Sequence, residues 1–158
     1  MKLTNHLIIF FTILGGFWLD TSISLLTIPF NVEPCIGLLV FCYWIFAIPE
    51  KLHSSSAFMY GLLVDLFFGQ VIGLHMIVFV ATSYLIHVYV FRFRLFSYLQ
   101  ITIFFAAVCT FFLACKYLIL SPANYSYSLL ILSFFVNALA WLAVYFLMRS
   151  FRRIFFII

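Results

Sequence analysis

A chain of 158 residues that is 68% hydrophobic and 8% charged, with a formal net charge of +4, is unlike a soluble domain. Such domains are roughly 45–50% apolar and about 25% charged. A mean hydropathy of +1.28 means more apolar surface than a core of this size hides, so lipid is the solvent for most residues. These figures exclude a disordered chain. The lack of alternating polarity excludes a transmembrane β-barrel. Cys35, Cys42, Cys109 and Cys115 lie in apolar stretches without paired spacing, which excludes a disulfide scaffold and makes them small packing residues.

A helix needs about 20 apolar residues to cross a hydrocarbon core of roughly 30 Å. The first predicted span covers about 7–28, stops at Pro29 and carries Asp20 in its outer half. Its Gly15-Gly16 pair suits a close contact or a kink. No A-x-A-like site precedes Asp20, so the segment reads as a retained insertion signal. The second span covers 34–49. Glu33-Pro34 suits its N-terminus, and Pro49 ends it. Ser54 to Phe91 is 38 residues, or about 57 Å as one helix, nearly twice the core. The sequence Gly69-Gln70-Val71-Ile72-Gly73 divides it into spans 54–72 and 74–91, with Ser54, Ser55 and Ser56 placed to cap the former. The fifth span covers 99–120 and the sixth 126–148, separated by a turn at Ser121-Pro122-Ala123-Asn124. The expected fold is therefore all-α: one polytopic membrane domain of six transmembrane helices over residues 1–158, leaving short loops and ends outside.

Charge fixes the expected orientation. With both termini cytoplasmic, the inner segments hold Lys2, Lys51, Arg92, Arg94, Arg149, Arg152 and Arg153, seven of the eight basic residues. This is a strong positive-inside bias. Five spans would expel the cluster at Arg149, Arg152 and Arg153, so that count is rejected. Those three, with Arg92 and Arg94, read as cytoplasmic anchors in contact with anionic lipid. Tyr117, Tyr125 and Tyr127 suit an outer aromatic belt, and Tyr43, Trp44, Tyr89 and Tyr98 an inner one.

Few polar residues lie within the spans. An ionised group at the membrane centre costs at least ~2.5–3.5 kcal/mol, so intramembrane acids face a partner or a water-filled cavity. Asp20, Asp65 and Lys116 all fall between the midplane and the outer surface. Together with His75 and Asn137 they are candidates for a polar or partner-contact site. The plainer readings are an ion pair between Lys116 and an acid, or an acid kept protonated by desolvation. Asn137, mid-span, suits a hydrogen bond to another helix. His6 and His53, near the inner surface, read as solvated. His75 sits at the outer turn and His87 towards the inner end of the fourth span. No histidine pair has metal-ligand spacing and no carboxylate joins them in sequence, so no metal site is expected. Gly61, Gly69 and Gly73 are candidates for close packing, though the last two equally suit a tight turn. No catalytic or cofactor-binding constellation appears, so an enzyme is not expected.

The segment Tyr43-Trp44-Ile45-Phe46-Ala47-Ile48-Pro49 resembles the "YW-x-x-A-x-P" end of the second span in the bacterial rod-shape-determining MreD family. Gly61-Leu62-Leu63-Val64-Asp65-Leu66, Gly69 and Ile72-Gly73-Leu74-His75 resemble that family's G-x-x-x-D-x-x-x-G-x-x-[LI]-G-x-H pattern. Val136-Asn137, Trp141 and Phe146-Leu147-Met148-Arg149 resemble its close. Two positions depart: Leu142 stands where several relatives carry proline, and the run Ser54–Ala57 replaces a glycine of some relatives. The resemblance implies a non-enzymatic inner-membrane component of the cell-elongation machinery, needed for rod shape and lateral peptidoglycan synthesis. It implies an MreC-like partner and, directly or indirectly, the MreB filament and the RodA–penicillin-binding protein 2 synthase. Membrane lipids are expected partners, and nucleic acid is not. The family is also similar in fold to the substrate-binding S components of energy-coupling-factor transporters. A small-molecule binding or transport protein is thus the alternative, its pocket lined by Asp20, Asp65 and His75.

Overall fold

Breakers and apolar runs cut the chain into helices joined by short turns. The computed structural model describes residues 3–27, 33–49, 52–69, 71–89, 92, 95–120, 122 and 126–155. Six helices lie among them: α1 (Leu3–Thr27), α2 (Ile36–Ala47), α3 (Ser54–Phe68), α4 (Leu74–Val88), α5 (Tyr98–Leu120) and α6 (Tyr127–Phe155). Stretches of α1, α5 and α6 are long and apolar enough to cross a membrane. The other three helices have 12, 15 and 15 residues, only ~18–23 Å.

Several helix ends differ from the sequence expectation. The second helix begins at Ile36 with Cys35 as its N-cap, so Pro34 precedes the helix instead of opening it. The third stops at Phe68, because Gly69 is extended at φ −72°, ψ 127°. Gly73 adopts φ 97°, the left-handed conformation that glycine tolerates best, and opens α4. Ser54, Ser55 and Ser56 do not cap α3. His53 holds the cap position without a side-chain cap bond, and the Ser56 hydroxyl donates to the His53 carbonyl. A reciprocal cap does start α5: Ser97 N–H donates to Gln100 Oε1 at 2.9 Å, and Gln100 N–H to Ser97 Oγ at 3.4 Å. The sixth helix runs on through Arg149, Arg152 and Arg153.

The centre of the bundle is α2, packed against α1, α4, α5 and α6. Every residue from Gly37 to Ile45 is buried. Phe41 stacks on Phe79 with ring centroids 3.6 Å apart. This enclosure corrects the predicted inner belt: Tyr43 and Trp44 are core residues at 2% and 0% exposure. Trp44 Nε1–H donates to Thr12 Oγ1 at 2.8 Å, pairing the indole within the bundle. Tyr89, Tyr98 and Tyr127 are exposed, while Tyr125 lies outside the described residues.

Two glycines set the helix spacing. A Cβ on Gly16 would lie 2.8 Å from Gly37 Cα, and one on Gly61 would lie 2.5 Å from Met76 Cα. They bring α1 onto α2 and α3 onto α4. Gly69 and Gly73 belong instead to the α3–α4 turn.

Candidate functional site

A helix that starts inside a membrane protein exposes amide donors that neither water nor lipid can satisfy. Two aspartates and one asparagine meet that need here, each reaching from another helix. Asp20, on α1, accepts Ile36 N–H through Oδ1 at 2.6 Å and Gly37 N–H through Oδ2 at 2.8 Å. Asn137, on α6, accepts Cys35 N–H through Oδ1 at 2.9 Å, and its Nδ2 donates to the Ser133 carbonyl. The opening of α2 is thus capped by two neighbouring helices. A carboxylate at a helix N-terminus also faces the positive end of the macrodipole.

Asp65 does the same for α4. Its carboxylate accepts Gly73 N–H at 2.8 Å and His75 and Met76 N–H at 3.2 Å each. His75 Nδ1–H donates to Asp65 Oδ1 at 2.7 Å. The histidine ring meets the edge of Phe17 at 5.1 Å and lies 4.7 Å from Phe112. Asp65 is 2% exposed and its side chain is fully enclosed. The acid with the most donors therefore closes the α3–α4 hairpin. No carboxylate joins a histidine in the sequence; the turn brings together residues ten apart.

Lys116 is paired with neither intramembrane aspartate. Its ammonium forms an ion pair with Glu33, ahead of α2, with side-chain exposures of 21% and 36%. Glu33 was absent from the predicted site, although it is the acid that the sequence places in an outer loop, level with the outer end of the fifth span. His6, expected to be solvated, is half-buried, its Nδ1 2.9 Å from the Tyr60 hydroxyl. His87 spans the Ser83 and Pro49 carbonyls at 2.7 Å each.

Above the starts of α2 and α4 lies a cavity of about 300 Å³. Asp20, Glu33, Lys116 and His75 supply its polar wall, and Phe17 and Phe112 part of its apolar wall. Asp65 sits behind His75 and is not in the lining. At the opposite end of the bundle, Arg152 Nη1 donates to the Ala47 carbonyl at 3.4 Å. Arg92 lies 5.6 Å over the ring of Tyr89, and Arg153 is exposed. Arg94 falls outside the described residues.

Residues 1–151 match the family description of the rod shape-determining protein MreD. The chain belongs to the MreD family. It is 28% identical over 156 residues to the rod shape-determining protein MreD of Haemophilus influenzae, an alignment covering 95% of this chain and 96% of that protein. No solved structure matches. Membership places the chain among multi-pass membrane proteins of rod-shape determination, a family not generally enzymatic.

Proposed function

We propose that this chain is a non-enzymatic scaffold of the cell-elongation machinery in the bacterial inner membrane, both termini cytoplasmic. It holds an MreC-like protein and, directly or through it, the MreB filament and the RodA–penicillin-binding protein 2 synthase. Membership of the MreD family carries this reading. Two features support it. Asp20, Asp65 and Asn137 each hold the start of another helix in place, as befits a protein that works by shape. Large apolar side chains stand exposed along α1, α3, α5 and α6, among them Trp18, Phe67, Phe111 and Phe135, offering faces to lipid or to a partner's helix. Depletion in the native host tests the proposal. Cells should round up while growth continues, and an MreC-like protein should copurify with the chain; unchanged shape with no such partner overturns it.

The cavity at the starts of α2 and α4 favours a second reading, a small-molecule binding or transport protein of the S-component type. Its volume lies at the lower limit of small-ligand pockets. A molecule retained stoichiometrically through purification and lost on Ser24→Phe, with growth rescued by one nutrient, selects it. Absence of any retained molecule removes it.

A further inference from the structure

At the basic end of the bundle a second cavity, of about 280 Å³, opens between α5 and α6. Tyr98 and Thr102 line it from α5, and Trp141, Leu142, Phe146 and Arg149 from α6. Its chemistry is graded along the membrane normal. The Arg149 guanidinium stands at the basic end, and the Tyr145 phenol, also in the lining, interacts with both Arg149 and Tyr98. The Tyr98 and Tyr145 rings meet edge to face at 5.7 Å. Leu142 lies seven residues before Arg149, about 10 Å deeper along the helix, and the floor there is apolar. Tyr98, Leu142 and Phe146 are 63%, 43% and 64% exposed, so the groove opens sideways, towards where acyl chains lie.

Arg149 lines the groove. Arg152 is engaged with the Ala47 carbonyl and Arg92 lies over Tyr89. A cation beside two phenolic hydroxyls, above an apolar slot open to the bilayer, has the polarity order of a phospholipid: phosphate first, then chain. Positive-inside bias assigns this end to the cytoplasmic leaflet, where basic pockets between helices take anionic headgroups.

We infer that the α5–α6 groove is a specific seat for one anionic phospholipid of the cytoplasmic leaflet. Its phosphate lies on Arg149, Tyr98 and Tyr145, and an acyl chain lies along Thr102, Trp141 and Leu142. A filled seat wedges α5 and α6 at the end where the bundle meets the cytoplasm.

Native mass spectrometry of the full chain in detergent tests this, with dioleoyl phosphatidylglycerol and dioleoyl phosphatidylcholine as probes. One phosphatidylglycerol should bind in preference to phosphatidylcholine. Arg149→Gln should weaken it about fivefold, the effect of losing one basic contact, while Arg153→Gln leaves it within about twofold. Thr102→Phe, which fills the slot, should weaken both lipids and decides the matter should Arg149→Gln not elute as a monodisperse species. Equal effects of Arg149→Gln and Arg153→Gln reduce the binding to diffuse charge and overturn the seat. So does inorganic phosphate displacing the lipid at equal concentration, which makes the site a phosphate site. A photoreactive amino acid at Leu142 should capture phospholipid in native membranes; capture of a protein helix there also overturns the proposal.

Discussion

Asp65 and Asp20 are the same residue type, each capping the start of another helix, yet their removal should differ. Asp65 satisfies three backbone amides and the His75 ring from a fully enclosed position. Asp20 satisfies two amides from a half-buried one on the cavity wall. An orphaned buried donor costs about 1–3 kcal/mol, and more where lipid replaces water. Asp65→Ala is expected to lose about 3 kcal/mol, a Tm fall of roughly 6–12 °C for a chain of this size, followed by unfolding in detergent. Asp65→Asn should fall between it and the parent, since a carboxamide offers one acceptor oxygen and turns an N–H towards donors. Asp20→Ala should lose less, because water in the cavity can reach the freed amides. Equal losses for the two alanine variants defeat the capping account. Lys116→Ala tests the opposite case. An ion pair with both partners partly exposed contributes ~1 kcal/mol or less, so its Tm should fall by no more than about 4 °C; a fall matching Asp65→Ala shows that the pair is structural after all.

At the scale of helices, the contacts between α1 and α2 and between α3 and α4 depend on missing side chains. Gly15 and Gly16 are adjacent, yet a Cβ on Gly15 meets nothing within 4 Å, while one on Gly16 meets backbone. Gly16→Ala is expected to cost about 1–3 kcal/mol by overpacking, whereas Gly15→Ala should be neutral or slightly stabilising through helix propensity. Thermal unfolding of the pair gives the comparison, and matching Tm values count against the packing account. The Gly15-Gly16 pair was visible in the sequence as a contact or a kink, but which residue makes the contact depends on the rotation of α1 about its axis. Apolar residues all round a helix give no such phase. The same loss of phase hid the place of α2. Its unbroken apolar run from Ile36 to Ala47 reads alike as a lipid-facing span or a central helix, so the pattern hides that Tyr43 and Trp44 lie in the core. Helix ends were easier to place, because proline and glycine act locally, and the hairpin break at Gly69–Gly73 stands where the spacing put it.

For the whole molecule, the helix lengths and the positions of the charges have a common origin. The ~18–23 Å of α2, α3 and α4 fall short of a ~30 Å hydrocarbon core, while α5, with 23 residues, spans ~34 Å. The cavity holding Asp20, Glu33, Lys116 and His75 lies where the short helices α2 and α4 start, between residues of the longer α1 and α5. The polar residues of the candidate site were legible one by one in the sequence, being few against an apolar background. Their grouping was not, because it follows from which helices are short. If that cavity holds water, an acid can stand within the span of α1 without facing lipid. Accessibility tests this directly. In a variant lacking the four native cysteines, Ser24→Cys, on the cavity wall, should react with a membrane-impermeant thiol reagent added from outside intact cells or spheroplasts. Leu139→Cys, 69% exposed on the flank of α6, should stay unlabelled there, because its surroundings are hydrocarbon. Labelling of Ser24→Cys only after the cells are opened reverses the orientation read from the basic residues. Failure to label under either condition, in a protein that remains folded, shows a dry cavity, and Asp20 would then be held by the two amides of α2 without help from water.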